Sequence, residues 1–216
     1  MKKDNKTIEL VDLKGTAKHA RIYIEGDSDL VLNKMNARNT RALLVEDRKS
    51  KLREQANVWE DVITSVHWRD PVDLENSYAK CDETMMLKLL KENAPCITTF
   101  GLKKSFGQSV VRNGIDTYAT KFDASLNVQG NMGLIPIKFT QWGIDERLMS
   151  PQKGSPVTVY LNHFSGWSAS FVIDYFEHVY SINEIVNIIN LAGFGIGIGS
   201  GRSSGYGRYH VVNVEG

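Results

Sequence analysis

Apolar and polar residues alternate in several segments of the chain, as expected for β-strands with one buried face. In KHARIYIEG (18–26), for example, Ile22 and Ile24 fall on one face. The pattern predicts four core strands, over residues 19–25, 133–141, 167–175 and 207–214. A further strand over 155–164 follows the polar residues GIDERLMSPQKG, which read as a turn. Ser165 and Gly166 then separate this strand from 167–175, which predicts a hairpin.

Helical spacing is clearest in SINEIVNIINLAG, where Ile182, Ile185 and Ile189 recur behind a capping box formed by Ser181 and Glu184. This pattern predicts a helix over 181–191. Weaker patterns predict a helix over 99–112, one over 81–95 that ends at Pro95, and one or two helices within 36–68.

The order of these elements is more informative than any one of them. Without its insertions, the chain reads β-α-β-β-α-β, which is the ferredoxin-like or RRM-like arrangement. We therefore predict an α+β fold in one domain covering residues 1–216. Residues 33–95 form a helical insertion in this prediction, and a glycine-rich loop precedes the last strand.

Composition restricts the function without defining it. The 216 residues carry a formal net charge of +1, so a nucleic-acid-binding surface would have to be a local patch. The sequence contains no CxxC or HExxH motif, and Cys81 and Cys96 match no metal-binding spacing. We expect no cofactor and no metal. The absence of a long apolar run or a secretory signal predicts a cytoplasmic protein that does not contact membranes.

The segment GFGIGIGSGRSSGYGRYHV (193–211) places seven glycines between the last helix and the last strand. Three interpretations remain open. The segment is a flexible linker, a backbone loop that presses against a ligand, or a packing device that brings the last helix close to the sheet. The preceding helix would present its C-terminal end here, so an anion would have to be held by loop amides together with Arg202 and Arg208.

The part GSGRSSGYGRYHV, taken with the order of elements, resembles the RAMP superfamily, the RNA-binding and RNA-processing proteins of CRISPR systems. The segment IVNIINLAGFGIGIGSGR is similar to one found near the end of an uncharacterised group of bacteriophage proteins, and EGDSDLVLNKMNARNTR resembles a second segment of that group more loosely. These resemblances imply an RRM-like core, an RNA ligand and a phage origin.

The leading hypothesis is a single-stranded RNA- or DNA-binding protein that forms a homo-oligomer along the strand, in the cytoplasm of an infected bacterium. Basic side chains would pair with phosphates and tyrosines would stack on bases. The predicted contacts are Lys34, Arg38, Arg41, Lys103, Lys104, Arg202, Ser203, Tyr206, Arg208 and Tyr209, with the loop backbone at Gly197, Gly199, Gly201, Gly205 and Gly207. Trp167 and Phe171 are either further stacking residues or part of the core.

Two alternatives belong to other classes of protein. A metal-independent RAMP-type endoribonuclease would use His19 or His210 as general base. A phage anti-defence or assembly factor would instead bind a host protein, which the near-neutral charge favours. A single histidine on a strand is typical of a structural role, so we expect a binding protein rather than an enzyme.

Overall fold

The computed structural model describes residues 17–37, 39–40, 57–72, 81–149 and 157–216. Within these ranges the strands are β1 (Lys18–Gly26), β2 (Leu30–Leu32), β3 (His67–Trp68), β4 (Pro95–Thr98), β5 (Leu126–Val128), β6 (Leu134–Lys138), β7 (Gln141–Met149), β8 (Val157–Ser165), β9 (Ser168–Tyr175) and β10 (Tyr209–Glu215). The helices are α1 (Val58–Thr64), α2 (Glu83–Glu92), α3 (Thr99–Arg112), α4 (Thr120–Ser125) and α5 (Ile182–Gly195).

The main sheet has the strand order β10-β1-β9-β6-β4-β3, and β5 also pairs with β9. Neighbouring strands in this order are antiparallel. Strand β1 illustrates why the sequence forms this sheet, because Ala20, Ile22 and Ile24 are buried and the residues between them face outward. The order of β10, β1, β9 and β6 is that of a ferredoxin-like core, so the predicted α+β class and β-α-β-β-α-β arrangement are confirmed.

Two long helices, α3 and α5, pack against each other and cover one face of the main sheet. Each begins at a side-chain cap: the Thr98 hydroxyl accepts from the Gly101 N–H, and Ser181 forms a capping box with Glu184. Both predicted helices are present, and α5 continues four residues beyond the predicted end at 191. None of the described helices is long and apolar enough to cross a membrane.

A second sheet, with the order β2-β8-β7, corrects two predictions. The residues from 143 to 149 form most of β7 rather than a turn, and β8 pairs with β7 and β2 rather than forming a hairpin with β9. Asp145 and Arg147 look like turn residues in the sequence, but they form an ion pair with each other on this strand. Gly166 has a φ of 57°, and the chain changes sheets beside it.

The predicted helical insertion at 33–95 is helical only in part. Its described portion contains α1 and α2, but it also contributes strand β3 to the main sheet. The predicted helix at 81–95 is shorter than expected, and Pro95 begins β4, which pairs with β6. All of these elements contribute residues to one cluster of buried side chains.

Candidate nucleic-acid interface

The glycine-rich loop after α5 is held in place by backbone hydrogen bonds on two sides. The Ile198 N–H donates to the Gly207 carbonyl at 2.9 Å, which ties the two arms of the loop together. The Ser200 N–H donates to the Val31 carbonyl at 2.8 Å, which fixes the loop to β2. The interpretation of this segment as a flexible linker is therefore wrong.

The glycines allow this close packing. Gly207 has a φ of 68°, and a Cβ on it would collide with the backbone of Ile198. A Cβ on Gly199 would lie 2.5 Å from the Val31 carbonyl oxygen. Gly197 is packed in the same way against Gly207, whereas a Cβ on Gly205 would meet nothing within 4 Å. Three of the five predicted loop glycines, Gly197, Gly199 and Gly207, thus allow close contact between backbone segments within the protein.

Two adjoining cavities lie between this loop and helix α3. The first has a volume of about 500 Å³ and contains Arg112, Arg202 and Arg208, so we call it the arginine half. The second has a volume of about 330 Å³ and contains Lys34 and Lys104, so we call it the lysine half. Because Gly199, Ser200 and Arg202 line both, the halves form one groove.

The groove concentrates positive charge in a nearly neutral protein. Five cationic side chains line it, and no described lining residue is Asp or Glu. They are Lys34, Lys104, Arg112, Arg202 and Arg208. Helix α3 forms one wall, with Lys104, Gln108 and Arg112 at intervals of four residues on the same face. A recess lined in this way attracts anions, because the positive potentials of the cations add and water screens them less in a recess than on an open surface.

Arg208 is the best-positioned of these cations. Its backbone N–H donates to the Ser28 hydroxyl at 2.9 Å, and its Nη2 donates to the Arg202 carbonyl at 3.2 Å. Its Nη1 is buried and has no hydrogen-bond partner among the described residues. A buried guanidinium nitrogen without an acceptor is costly, so an added acceptor for this nitrogen would be stabilising.

The lysine half also contains His67 and Cys96. Burial lowers the pKa of His67, and the nearby charge of Lys34 lowers it further, which favours the neutral imidazole. Burial raises the pKa of the Cys96 thiol to about 11. Cys96 is therefore protonated at neutral pH and is not an activated nucleophile.

Of the side chains predicted to contact nucleic acid, the structure brings five together in this groove. They are Lys34, Lys104, Arg202, Ser203 and Arg208. Lys103 does not line the groove; its charge instead acts on Asp123 of α4. Arg38 and Arg41 lie outside the described residues.

Tyr206 contacts the β7–β8 hairpin rather than the groove. Its hydroxyl accepts a hydrogen bond from Arg147 Nη2 at 2.8 Å, and the Arg147 guanidinium lies 5.1 Å from the ring centre. His163 packs edge-on against the same ring. Tyr206 thus joins the loop to the second sheet, which is a different role from the predicted stacking on a base.

The other predicted stacking residues are buried. Tyr209 and Trp167 are each 1% exposed and pack against one another, and Phe171 faces the core with them. None of the three has a ring face available to a base. The predicted stacking on Tyr209 is therefore wrong, and Trp167 and Phe171 belong to the core, which was one of the two alternatives for them. They lie on the inner face of the sheet, under α3 and α5.

The two histidines considered as catalytic bases do not converge. His19 lies at the start of β1 with Nδ1 2.6 Å from Asp174, and His210 lies in β10 with Nδ1 2.7 Å from Asp27. Strands β1 and β10 are neighbours, but His210 lies beside Glu25, about 20 Å along β1 from His19 at 3.3–3.4 Å per residue. Neither histidine lines the groove. Within the described part of the chain, no group of His, Cys, Asp and Glu residues could hold a metal ion.

The lining residues that were not among the predicted contacts include Arg112, Gln108 and His67. The sequence does contain a signal for the first two, because Lys104, Gln108 and Arg112 lie at i, i+4 and i+8 of a predicted helix. No local pattern places His67 near the loop, since strand β3 reaches it only through the tertiary fold.

No protein-family model and no curated protein sequence matches the chain. Among solved structures, it is similar to a chain in the cryo-EM structure of the type III-B Cmr-beta complex bound to cognate target RNA. That match has a TM-score of 0.51 and 10% sequence identity, and it covers 94% of this chain and 61% of the other. This likeness shows that the chain shares the fold of that relative. The chain spans less than two thirds of the length of that relative. Cmr6 from Pyrococcus furiosus is also similar, with a TM-score of 0.40 and 9% identity over 91% of this chain and 99% of Cmr6.

Proposed function

We propose that this protein binds single-stranded nucleic acid, RNA or DNA, in the groove between α3 and the glycine-rich loop. The observation that carries the proposal is the lining of the groove: five cations, no carboxylate among the described lining residues, and the unpartnered Nη1 of Arg208. A phosphate oxygen beside Arg208 would supply the missing acceptor. Neighbouring phosphates would be within reach of Arg202 in the middle of the groove and Lys104 at its other end.

A recessed site favours a flexible strand over a duplex. The groove lies between a helix and a loop, and it is lined by Arg208, whose buried Nη1 has no hydrogen-bond partner among the described residues. A duplex presents its phosphates on a stiff cylinder, whereas a single strand can bend to place a phosphate inside a recess. A chain of similar fold belongs to a complex solved with its cognate target RNA, which supports RNA as the first ligand to test.

Salt-dependent binding tests this proposal. Fluorescence anisotropy is measured with labelled RNA and DNA 30-mers at several salt concentrations, for the wild type and for Arg202→Ala/Arg208→Ala. The control is Arg21→Ala/Lys138→Ala, which removes the same charge from two exposed positions on the open face of the main sheet. This control also tests binding on that face, which is the mode used by RRM proteins.

We expect the groove variant to bind more weakly and to depend less on salt. The slope of log K against log salt should become shallower by about 1.4, since each of the two lost single-strand phosphate contacts contributes about 0.7 to its steepness. The control should keep most of the wild-type affinity. Absence of binding by the wild type at low salt would refute the proposal. So would a control variant that loses as much affinity as the groove variant.

The finer parts of the proposal concern assembly and origin. We propose that several copies bind side by side along one strand, as a RAMP-like backbone protein would. Light scattering on mixtures with RNAs of increasing length should then give a particle mass that rises in steps of one chain. A constant mass of one chain per RNA would contradict this. The phage origin, like the cytoplasmic location, stays a prediction from sequence.

His67 supports ribonuclease activity as a second candidate function. It is the histidine that lines the groove, and its lowered pKa keeps it in the neutral form that a general base requires. This candidate predicts RNA cleavage in the presence of EDTA that is lost in His67→Ala and kept in His210→Ala. An RNA that remains intact with the wild type under binding conditions would exclude it.

A further inference from the structure

Two phenylalanines that adjoin groove-lining residues in the sequence are unusually exposed. Phe100 in the first turn of α3 is 73% exposed, and Phe194 in the last turn of α5 is 83% exposed. Neither belongs to the buried cluster or to the apolar side chains packed against it. A phenylalanine usually contributes to stability by being buried, so these two rings are available for a ligand.

Phe100 lies at the lysine half of the groove. Its neighbours Thr98 and Gly101 both line that half. The ammonium group of Lys104, which lines it as well, lies 5.8 Å from the centre of the Phe100 ring. A phosphate bound by Lys104 would therefore have its own base within reach of this ring.

Phe194 adjoins the arginine half of the groove in the sequence. It directly precedes Gly195, which lines the arginine half together with Arg112. Between the two ends, α3 runs from Gly101 to Arg112, which is about 16 Å at 1.5 Å per residue. At a stacked spacing of about 3.4 Å per nucleotide, that distance corresponds to roughly four or five nucleotides.

We propose that Phe100 and Phe194 are base-stacking residues at the two ends of the groove, so that the ligand must have unpaired bases. This inference rests on the proposed function and specifies its ligand class: a single strand read through its phosphates and the faces of its bases. Stacking accepts any base, because every base has a π-face. Bases in a duplex are already stacked on one another, so a duplex cannot use the two rings.

An abasic oligomer separates stacking from phosphate binding. Three 10-mers are compared by anisotropy: single-stranded oligo(dT), a deoxyribose-phosphate strand without bases, and a blunt duplex. They are titrated with wild type, Phe100→Ala, Phe100→Trp and Phe194→Ala. The control is Tyr118→Ala, which removes an aromatic ring that is 71% exposed and has no groove-lining residue beside it in the sequence.

We expect Phe100→Ala and Phe194→Ala each to weaken binding of oligo(dT) by roughly 5- to 150-fold, the range measured for losing one stacked base. Binding of the abasic strand should not change, because its phosphates are still held by the groove. Phe100→Trp should keep wild-type affinity, and its added tryptophan fluorescence should be quenched by oligo(dT) but not by the abasic strand. Tyr118→Ala should bind like the wild type.

The inference is overturned if Phe100→Ala and Phe194→Ala bind oligo(dT) as tightly as Tyr118→Ala does. It is also overturned if they lose as much affinity for the abasic strand, because the change would then have altered the groove. Equal affinity of the wild type for oligo(dT) and the abasic strand would also reject base stacking, and the groove would then bind phosphates alone. Failure of the wild type to bind any of the three, together with failure to bind the RNA 30-mer, would instead reject the proposed function.

Discussion

Two glycines near the end of α5 test how tightly this helix packs on the last strand. Gly193 and Gly195 lie two residues apart in one helix, and neither has a positive φ. A Cβ on Gly193 would lie 2.8 Å from the carbonyl carbon of Tyr209 and closer still to its oxygen. A Cβ on Gly195 would meet nothing within 4 Å. Replacing each glycine with alanine therefore makes the same chemical change in two different environments.

The expected effects have opposite signs. Alanine is favoured over glycine in a helix by about 0.8–1 kcal/mol, so Gly195→Ala should raise the free energy of unfolding by up to about 1 kcal/mol. At Gly193 the same gain is opposed by overpacking, which costs about 1–3 kcal/mol and more where the neighbour cannot move. Tyr209 is such a neighbour, because its side chain is 1% exposed beneath Trp167.

A second contact resists separation of the helix from the strand. The Val211 N–H donates to Asn190 Oδ1 of α5 at 2.8 Å. We therefore expect Gly193→Ala to lower the free energy of unfolding by about 2 kcal/mol or more, because the cost exceeds the helical gain. The two variants should then differ by about 3 kcal/mol, which corresponds to about 6–12 °C in Tm for a chain of this size.

Thermal and urea unfolding followed by circular dichroism would measure this difference. The wild type is the reference, and Gly195→Ala is the matched control for helix propensity. If Gly193→Ala were as stable as Gly195→Ala, the close approach of α5 to β10 would be refuted. The account of the glycine-rich segment as a packing device would fail with it.

Three further predictions concern the groove and its supports. RNA affinity at constant ionic strength should rise as the pH falls from 8 to 5, because a bound phosphate favours protonated His67 and raises its pKa above the lowered value of the free protein. The His67→Gln variant should show a flatter dependence of affinity on pH, and a pH profile identical to that of the wild type would reject the coupling. The Tyr206→Phe variant keeps the ring but removes the hydroxyl that accepts from Arg147, so urea denaturation should give a free energy of unfolding lower by about 0.5–1.5 kcal/mol. If the variant were as stable as the wild type, this hydrogen bond would not hold the loop to the hairpin. Thr98→Ala should remove the cap of α3 and cost about 1 kcal/mol, with Thr98→Ser restoring most of it; equal melting temperatures for both variants would contradict the cap.

Several features of the candidate site could be found from the sequence. The glycine-rich segment predicts a loop that lines the groove, and Arg202, Ser203 and Arg208 all contribute to this lining. The tyrosines of the same segment were misjudged because the composition of a loop does not say which way its side chains point. Tyr209 begins β10 and faces the core, while Tyr206 turns toward the hairpin.

The local elements and their order can be predicted from the amino-acid sequence. Alternation in β1 and the capping box at Ser181 act within a few residues, so they can be interpreted without knowing the rest of the chain. The order of four strands and two helices then admits few topologies, because sheet connections are short and of fixed handedness. This is why the ferredoxin-like core was predicted correctly from a single sequence.

The residues that form the groove, and the sheet that each strand joins, depend on the three-dimensional packing of the chain. Lys34 follows β2, Lys104 and Arg112 belong to α3, and Arg202 and Arg208 come from the loop. They meet because α5 packs on β10 and the loop is hydrogen-bonded to β2, contacts between residues far apart in the chain. No pattern within a short segment encodes such contacts, because their energy comes from complementary surfaces that exist only after folding.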